Sequence, residues 1–328
     1  MAGPPGSMLT TGEVRTGLLL NSAAIPQNAL PYALRLLPGE RVRTSDRPIG
    51  YGVSADVLTG IDCTLTAASG ARTRAVGTVA ARATITGGRI AQGSAHARLV
   101  ESDVGYRRPW SHFLGRPGVV ETIGRIGWAD LARGLTADPR PAPGLDLGAI
   151  CDRVLDGVQQ WPDLDRSPPF RTARTTLRWV LQNGGNGTTD HLSFIIVNSE
   201  LRTVSLALTD HALPAVLQLC EDLALHDWLL TTLLGLIERS RMGSGELPQT
   251  IAKLRPAIDH LLHLWMPGAR VDLRLMPLWH SLDKRPGFTT QWEASVSRIR
   301  DQLALNTLTL LSAVAEGKAG AHEQGIQR

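Results

Sequence analysis

Three stretches in the last third of the chain place residues on a seam at alternating steps of four and three. Leu219, Leu223, His226, Leu230, Leu233 and Ile237 form the first, and Leu247, Ile251, Leu254, Ile258, Leu261 and Trp265 the second. Trp292, Val296, Ile299, Leu303, Asn306 and Leu310 form the third. That spacing keeps one side of a helix apolar and suits helices packed nearly parallel or antiparallel. It predicts helices over 211–240, 247–266 and 290–315, the last opened by a capping box of Thr290 with Glu293. Pro256 is expected to kink or split the middle helix. The polar seam positions, His226 and Asn306, need hydrogen-bond partners once buried. Shorter helices are predicted at 146–160 and 171–183, with a hairpin of 191–198 and 202–209 after them.

The first half alternates instead. Segments 12–20, 49–57, 61–67, 73–86 and 89–101 have strand character, with a short helix expected at 27–37. Gly87-Gly88 reads as a two-residue hairpin turn that accepts positive φ. That turn pairs Ile85 with Ile90, Ala81 with Ser94, Val79 with His96 and Val76 with Leu99. Both faces of the hairpin are then dominated by small side chains, which admit the close approach of a helix or a second sheet. At 134–144, GLTADPRPAPG carries three prolines and two glycines and cannot continue a helix or a central strand. The expected fold class is α+β. An antiparallel sheet with a helix forms a strand-rich domain over 1–134, and 135–144 is a linker. A helical bundle with one β-hairpin at 191–209 fills 145–316, and 317–328 is a mobile tail.

Candidate chemistry is sparse. RRPWSHFLGRPG at 107–118 gathers Arg107, Arg108 and Arg116 with Trp110 and His112 in a segment bounded by proline and glycine. Guanidinium groups fork onto carboxylate or phosphate, and an aromatic among them can stack a planar ligand. With no acidic residue inside the segment, its charge is expected to face an acidic partner surface or an anionic ligand. Arg171, Arg174 and Arg178 would share one stripe of the 171–183 helix, which a solvated face also explains. NGGNGTTD at 183–190 lacks the lysine of a P-loop and reads as a turn. Cys220 and His226 lie over 200° apart around a helix and cannot pair within it. His260 and His263, with Asp259, have metal-compatible spacing but no third distant ligand. No catalytic motif is complete, so no catalytic residue, metal or cofactor is assigned.

Composition narrows the setting. Apolar residues make up 43% and charged residues 20%, enough to bury a core. The net charge of +4 is spread along the chain among acids, which does not indicate a nucleic-acid surface. Only Lys253, Lys284 and Lys318 are lysines among 34 basic residues, a bias of GC-rich coding. Three scattered cysteines without a CxxC pair or a secretion signal suggest a reducing cytoplasm. The charge-free run Trp228 to Ile237 is too short to span a bilayer.

LTGIDCTL at 58–65, SGARTRAVGTVA at 69–80, RRPWSHFLGRPGVVE at 107–121 and CEDLALHDWLLTTLL at 220–234 resemble an uncharacterised actinobacterial protein family. Its members are encoded beside variant P-loop and methyltransferase-like proteins, which implies a multi-protein system. The hairpin VAARATITGGRIAQGSAHARLV at 79–100 also resembles the paired strands of hot-dog-fold thioesterases. Those enzymes place an acidic or polar group on a central helix, where this chain offers only Gln27 and Asn28. The function expected from the sequence is a non-enzymatic interaction or assembly component with protein partners. The alternative is a protein or enzyme that binds a small molecule, such as an acyl thioester, on a hot-dog-like sheet.

Overall fold

The computed structural model of the chain describes residues 9–142, 144–183, 190–209, 212–240 and 247–326. Its strands are β1 (Leu9–Leu18), β2 (Arg43–Ser45), β3 (Tyr51–Val53), β4 (Val57–Thr66), β5 (Arg72–Thr86), β6 (Ile90–Glu101), β7 (Val119–Ile123), β8 (Thr175–Asn183), β9 (His191–Ile196) and β10 (Leu201–Leu208). The helices are α1 (Leu30–Ala33), α2 (Trp110–Leu114), α3 (Trp128–Thr136), α4 (Leu147–Gln159), α5 (Leu213–Ser240), α6 (Leu247–His260), α7 (Met276–Lys284) and α8 (Phe288–Ile326). The described residues fall into two compact units. One is Met1–Trp228 with Met266–Leu282, and the other is Leu229–Trp265 with Asp283–Arg328.

In the first unit all ten strands join one sheet, ordered β2-β3-β5-β7-β6-β1-β8-β10-β9, with β4 also on β5 and β5 also on β6. This sheet is larger than the one expected, and it is mixed: β7 runs parallel to β6, and β10 parallel to β8. Residues 175–183, expected within a helix, form β8. Leu177, Trp179 and Leu181 alternate there with Thr176, Arg178 and Val180, a period of two, and its threonines favour strand. The arginine stripe therefore does not exist: Arg178 meets the buried Glu13 of β1, and Arg174 lies outside the strand facing Asp152. The hairpin β9–β10 forms antiparallel as expected but belongs to this sheet. The Pro/Gly-rich stretch 135–144 runs from α3 toward α4 inside this same unit. Stretch 184–189 lies outside the described residues.

The central hairpin has a different register from the one expected. The turn has three residues, Gly87, Gly88 and Arg89, so Thr86 pairs with Ile90 and Ala81 with Ala95. Both glycines have positive φ, 59° and 62°. A Cβ on Gly88 would also stand 2.1 Å from the Ile25 carbonyl oxygen. The one-residue slip reverses which side chains share a face. Ala81, Ala83, Ala91, Ala95 and Ala97 now line one face, while Arg82, Thr84, Gln92, Ser94 and His96 line the other. The alanine face admits α4 very closely, since a Cβ on Gly93 would lie 2.6 Å from the Cys151 carbonyl oxygen. The polar face is covered by the first half of α5, where Gln92 donates to the Glu221 carbonyl at 2.9 Å.

In the second unit the seams are visible in burial. Leu230, Leu233, Leu254, Leu261, Trp292 and Ile299 are buried, and Ile258 and Leu303 are half-buried. Trp265 stacks on Trp292 at 4.2 Å between ring centroids. Asn306 is buried, with its Oδ1 accepting from Gln302 Nε2 at 3.0 Å. α8 starts two residues before the expected capping box, and Asp283 takes the capping role by accepting from the Thr289 backbone N–H at 3.3 Å. The helix continues past Glu316 through the expected mobile tail to Ile326. Pro256 lies within α6, which ends one turn later.

Candidate functional site

The hairpin β5–β6 does not stay paired along its whole length. Its ladder ends at Ala80 and His96. Beyond that point β7 enters between the two strands, antiparallel to β5 from Gly77 to Arg74 and parallel to β6 from Arg98 to Glu101. Gly77 permits the wedge, because a Cβ there would stand 2.2 Å from the Val119 carbonyl oxygen. Gly118, at φ 69°, turns the chain into β7, donating its N–H to Thr78 Oγ1 and accepting at its carbonyl from the Arg98 N–H.

At this fork is a cavity of about 350 Å³, lined by Asp56, Leu58, Ala80, His96, Arg98, Pro117, Gly118, Val119 and Leu213. His96 is 7% exposed and its ring lines the cavity. Burial holds its imidazole down to about 4, with Arg82 adding to the effect and Asp56 and Glu221 opposing it. The ring is neutral at pH 7, offering one donor and one acceptor. Arg98 has a buried Nε without a partner. A volume of this size falls in the ordinary range for small-molecule pockets.

Beside the fork, the polar face and α5 enclose a charge network. Glu221, fully buried, accepts from Arg82 Nε at 2.8 Å and lies 3.3 Å from Arg270, whose guanidinium stacks on Tyr51. Burial pushes the Glu221 carboxyl up, and Arg82 and Arg270 more than reverse this, leaving it below its ordinary value. Asp222 accepts from the Gly268 N–H at 2.9 Å. His226 lies against the Asp222 carbonyl at 2.8 Å, so this polar seam residue is hydrogen-bonded while buried. Asp227 pairs with Arg202 at 2.6 Å, yet burial still raises its carboxyl. α5 is therefore buried nearly all round rather than along one seam.

The segment chosen from sequence forms α2 and the approach to β7, and its last residues wall the cavity. Its cations are not free. Arg107 donates to Asp62 at 2.9 Å and covers the Trp110 ring, and Arg108 donates to Asp103 at 2.5 Å. His112 meets Glu121 at 2.7 Å, and Arg116 donates to the same carboxylate. Trp110 lies over β4 at Gly60 with part of its ring exposed. The acids come from β4, β7 and the loop after β6, all outside residues 107–118. The expectation of un-neutralised charge is thus corrected.

His96 and Arg98 escaped notice in the sequence although a signal existed. Gln92, Ser94, His96 and Arg98 recur at every second residue, a polar stripe on one face of β6 that the expected register set opposite Ala81 and Val79 in place of Arg82 and Ala80. Burial keeps the cysteines protonated at neutral pH: with Asp62, it pushes the Cys63 thiol up to about 11, and it raises Cys151 and Cys220 further above their usual range. Asp259 pairs with Arg255, and among the described residues no group of three or more His, Cys, Asp and Glu side chains could hold a metal. No helix among them is long and apolar enough to cross a membrane. Neither a family model, nor a curated protein, nor a solved structure matches this chain.

Proposed function

We propose that this protein binds a small molecule in the cavity at the β5–β6 fork. The observation that carries this reading is a cavity of about 350 Å³ that joins an apolar wall to two polar side chains, the nearly buried neutral His96 ring and the Arg98 guanidinium. Apolar pockets of this size with a few converging polar groups are the usual form of small-molecule sites. The lining residues supply charge, hydrogen bonding and apolar surface, and the reading is one of binding. A hot-dog-like acyl-thioester enzyme draws no support from the helix expected to serve it, because Gln27 donates its amide to the carbonyls of Ser45 and Tyr51. Screening fragment mixtures by ligand-observed NMR tests the proposal. Binders to the wild type should be lost in Leu58→Trp, which closes the rim. A screen without binders, or binders indifferent to Leu58→Trp, overturns it.

A second reading, an assembly component, has its own observation. Leu305, Leu308 and Leu311 on α8 are each about 60% exposed, apolar surface of the kind that protein partners cover. The variant P-loop and methyltransferase-like proteins implied by resemblance are the partners to test first. Affinity purification should recover them with the wild type and lose them with Leu308→Asp. An acidic partner at Arg107–Arg116 would first have to displace Asp62, Asp103 and Glu121, so this reading does not use that loop.

A further inference from the structure

The cavity carries chemical information about what enters it. Arginines on neighbouring strands meet carboxylates of this chain: Arg74 meets Asp62, Arg82 meets Glu221, Arg178 meets Glu13 and Arg202 meets Asp227. Arg98 forms no such ion pair with a carboxylate among the described residues, although it lines the same cavity as Asp56. A guanidinium that no carboxylate pairs is an incomplete fork, and the groups that complete it are planar or tetrahedral oxyanions. The neutral His96 ring lies two residues away on the same strand face and supplies a donor or acceptor without a second charge. Leu58, Ala80, Pro117, Val119 and Leu213 add apolar wall to the cavity, while Asp56 disfavours a second anionic group.

We propose that the fork cavity takes its ligand by a single anionic oxygen group, a carboxylate or a phosphate, with Arg98 as its charge partner and His96 as the adjacent hydrogen-bonding group. The apolar wall then receives a short uncharged body. This assignment rests on the reading of the cavity as a ligand site. It involves no covalent step: the oxyanion accepts hydrogen bonds from the guanidinium, and the imidazole edge bonds to a second ligand atom. The charged groups that influence this imidazole are Asp56, Arg82 and Glu221, and Arg98 lines the same cavity.

The test uses the full chain and three probes, titrated at pH 7 while the His96 Cε1–H resonance is followed by NMR. Butyrate and its neutral counterpart butyramide share a body and differ in the charge of the head, and inorganic phosphate is a head without a body. Saturable shifts with butyrate or phosphate, weakened roughly tenfold or more in Arg98→Gln and partly restored in Arg98→Lys, are the expected result. Butyrate alone assigns the carboxylate, phosphate alone assigns the phosphate, and both together assign the shared oxyanion chemistry. A bound anion should also raise the His96 titration midpoint above about 4, because it favours the charged ring. A purely structural role of Arg98 would not produce that rise. Butyramide binding as tightly as butyrate, unchanged in Arg98→Gln, would overturn the anion assignment and leave the ligand site standing. No shift with any probe overturns the anion assignment. If the fragment screen also fails, the ligand site falls with it.

Discussion

A single buried carboxylate organises the polar face of the sheet. Glu221 is held between Arg82 and Arg270, and its own backbone carbonyl receives Gln92, so one residue of α5 engages both strands of the central hairpin. Desolvating such a group is costly, and the attraction of two guanidinium groups offsets that cost only while all three remain. Glu221→Ala should therefore destabilise the protein by roughly 3 to 5 kcal/mol, because two buried cations are left without their acid. Arg107→Ala should change stability by about 0–1 kcal/mol, since its ion pair is partly solvated. Urea midpoints of the two variants check this, and equal shifts would show that the buried triad has no special weight.

At the scale of elements, the fork depends on Gly77 and the interior on α5. Gly77→Val would drive a side chain into the Val119 backbone, so it should lower the melting temperature and remove fragment binding at the cavity together. Loss of stability with binding intact would show that the wedge of β7 does not shape the site. For α5, Leu223→Ala opens a cavity at a fully buried position and should cost roughly 2 to 5 kcal/mol, whereas the exposed Glu238→Ala should cost roughly 0.5 or less. Comparable denaturation midpoints would contradict the placement of that helix. The seam spacing located α5 correctly but under-described it. Sequence alone does not show that Arg82 of β5 stands opposite Glu221 and Arg202 of β10 opposite Asp227.

For the whole molecule, the buried imidazole makes stability depend on pH. His96 titrates near 4 when folded and at about 6.5 when exposed, so unfolding takes up a proton between those values. Its stabilising contribution is complete above about pH 6.5 and is lost as pH falls toward 4, amounting to about 3 kcal/mol over the full window. Glu221, with a folded carboxyl below its ordinary 4.5, contributes stability above that value and loses it at still lower pH. Stability measured from pH 8 to 4 should fall less steeply in His96→Gln than in the wild type. Identical slopes would place the imidazole in solvent.

The sequence by itself determined the local periods: α4, α5, α6 and α8, the β9–β10 hairpin and the strand character of β5 and β6 all follow from apolar spacing and turn chemistry, which act within a few residues. It also marked the neighbourhood of the site, since the loop through Arg107 and Arg116 ends in the cavity wall. Tertiary structure decided the rest. A turn longer by one residue than Gly87-Gly88 alone changed the partner of every residue in the hairpin, and only packing against α4 on one face and α5 on the other selects that register. Strand pairing across 160 residues brought β8 against β1, a pairing that no local preference encodes, and turned an apparent helical stripe into an interior strand. Charge followed the same rule. Whether an arginine is free or answered depends on carboxylates that folding delivers from distant segments, which is why Arg107, Arg108 and Arg116 drew attention while Arg98, left without one, did not.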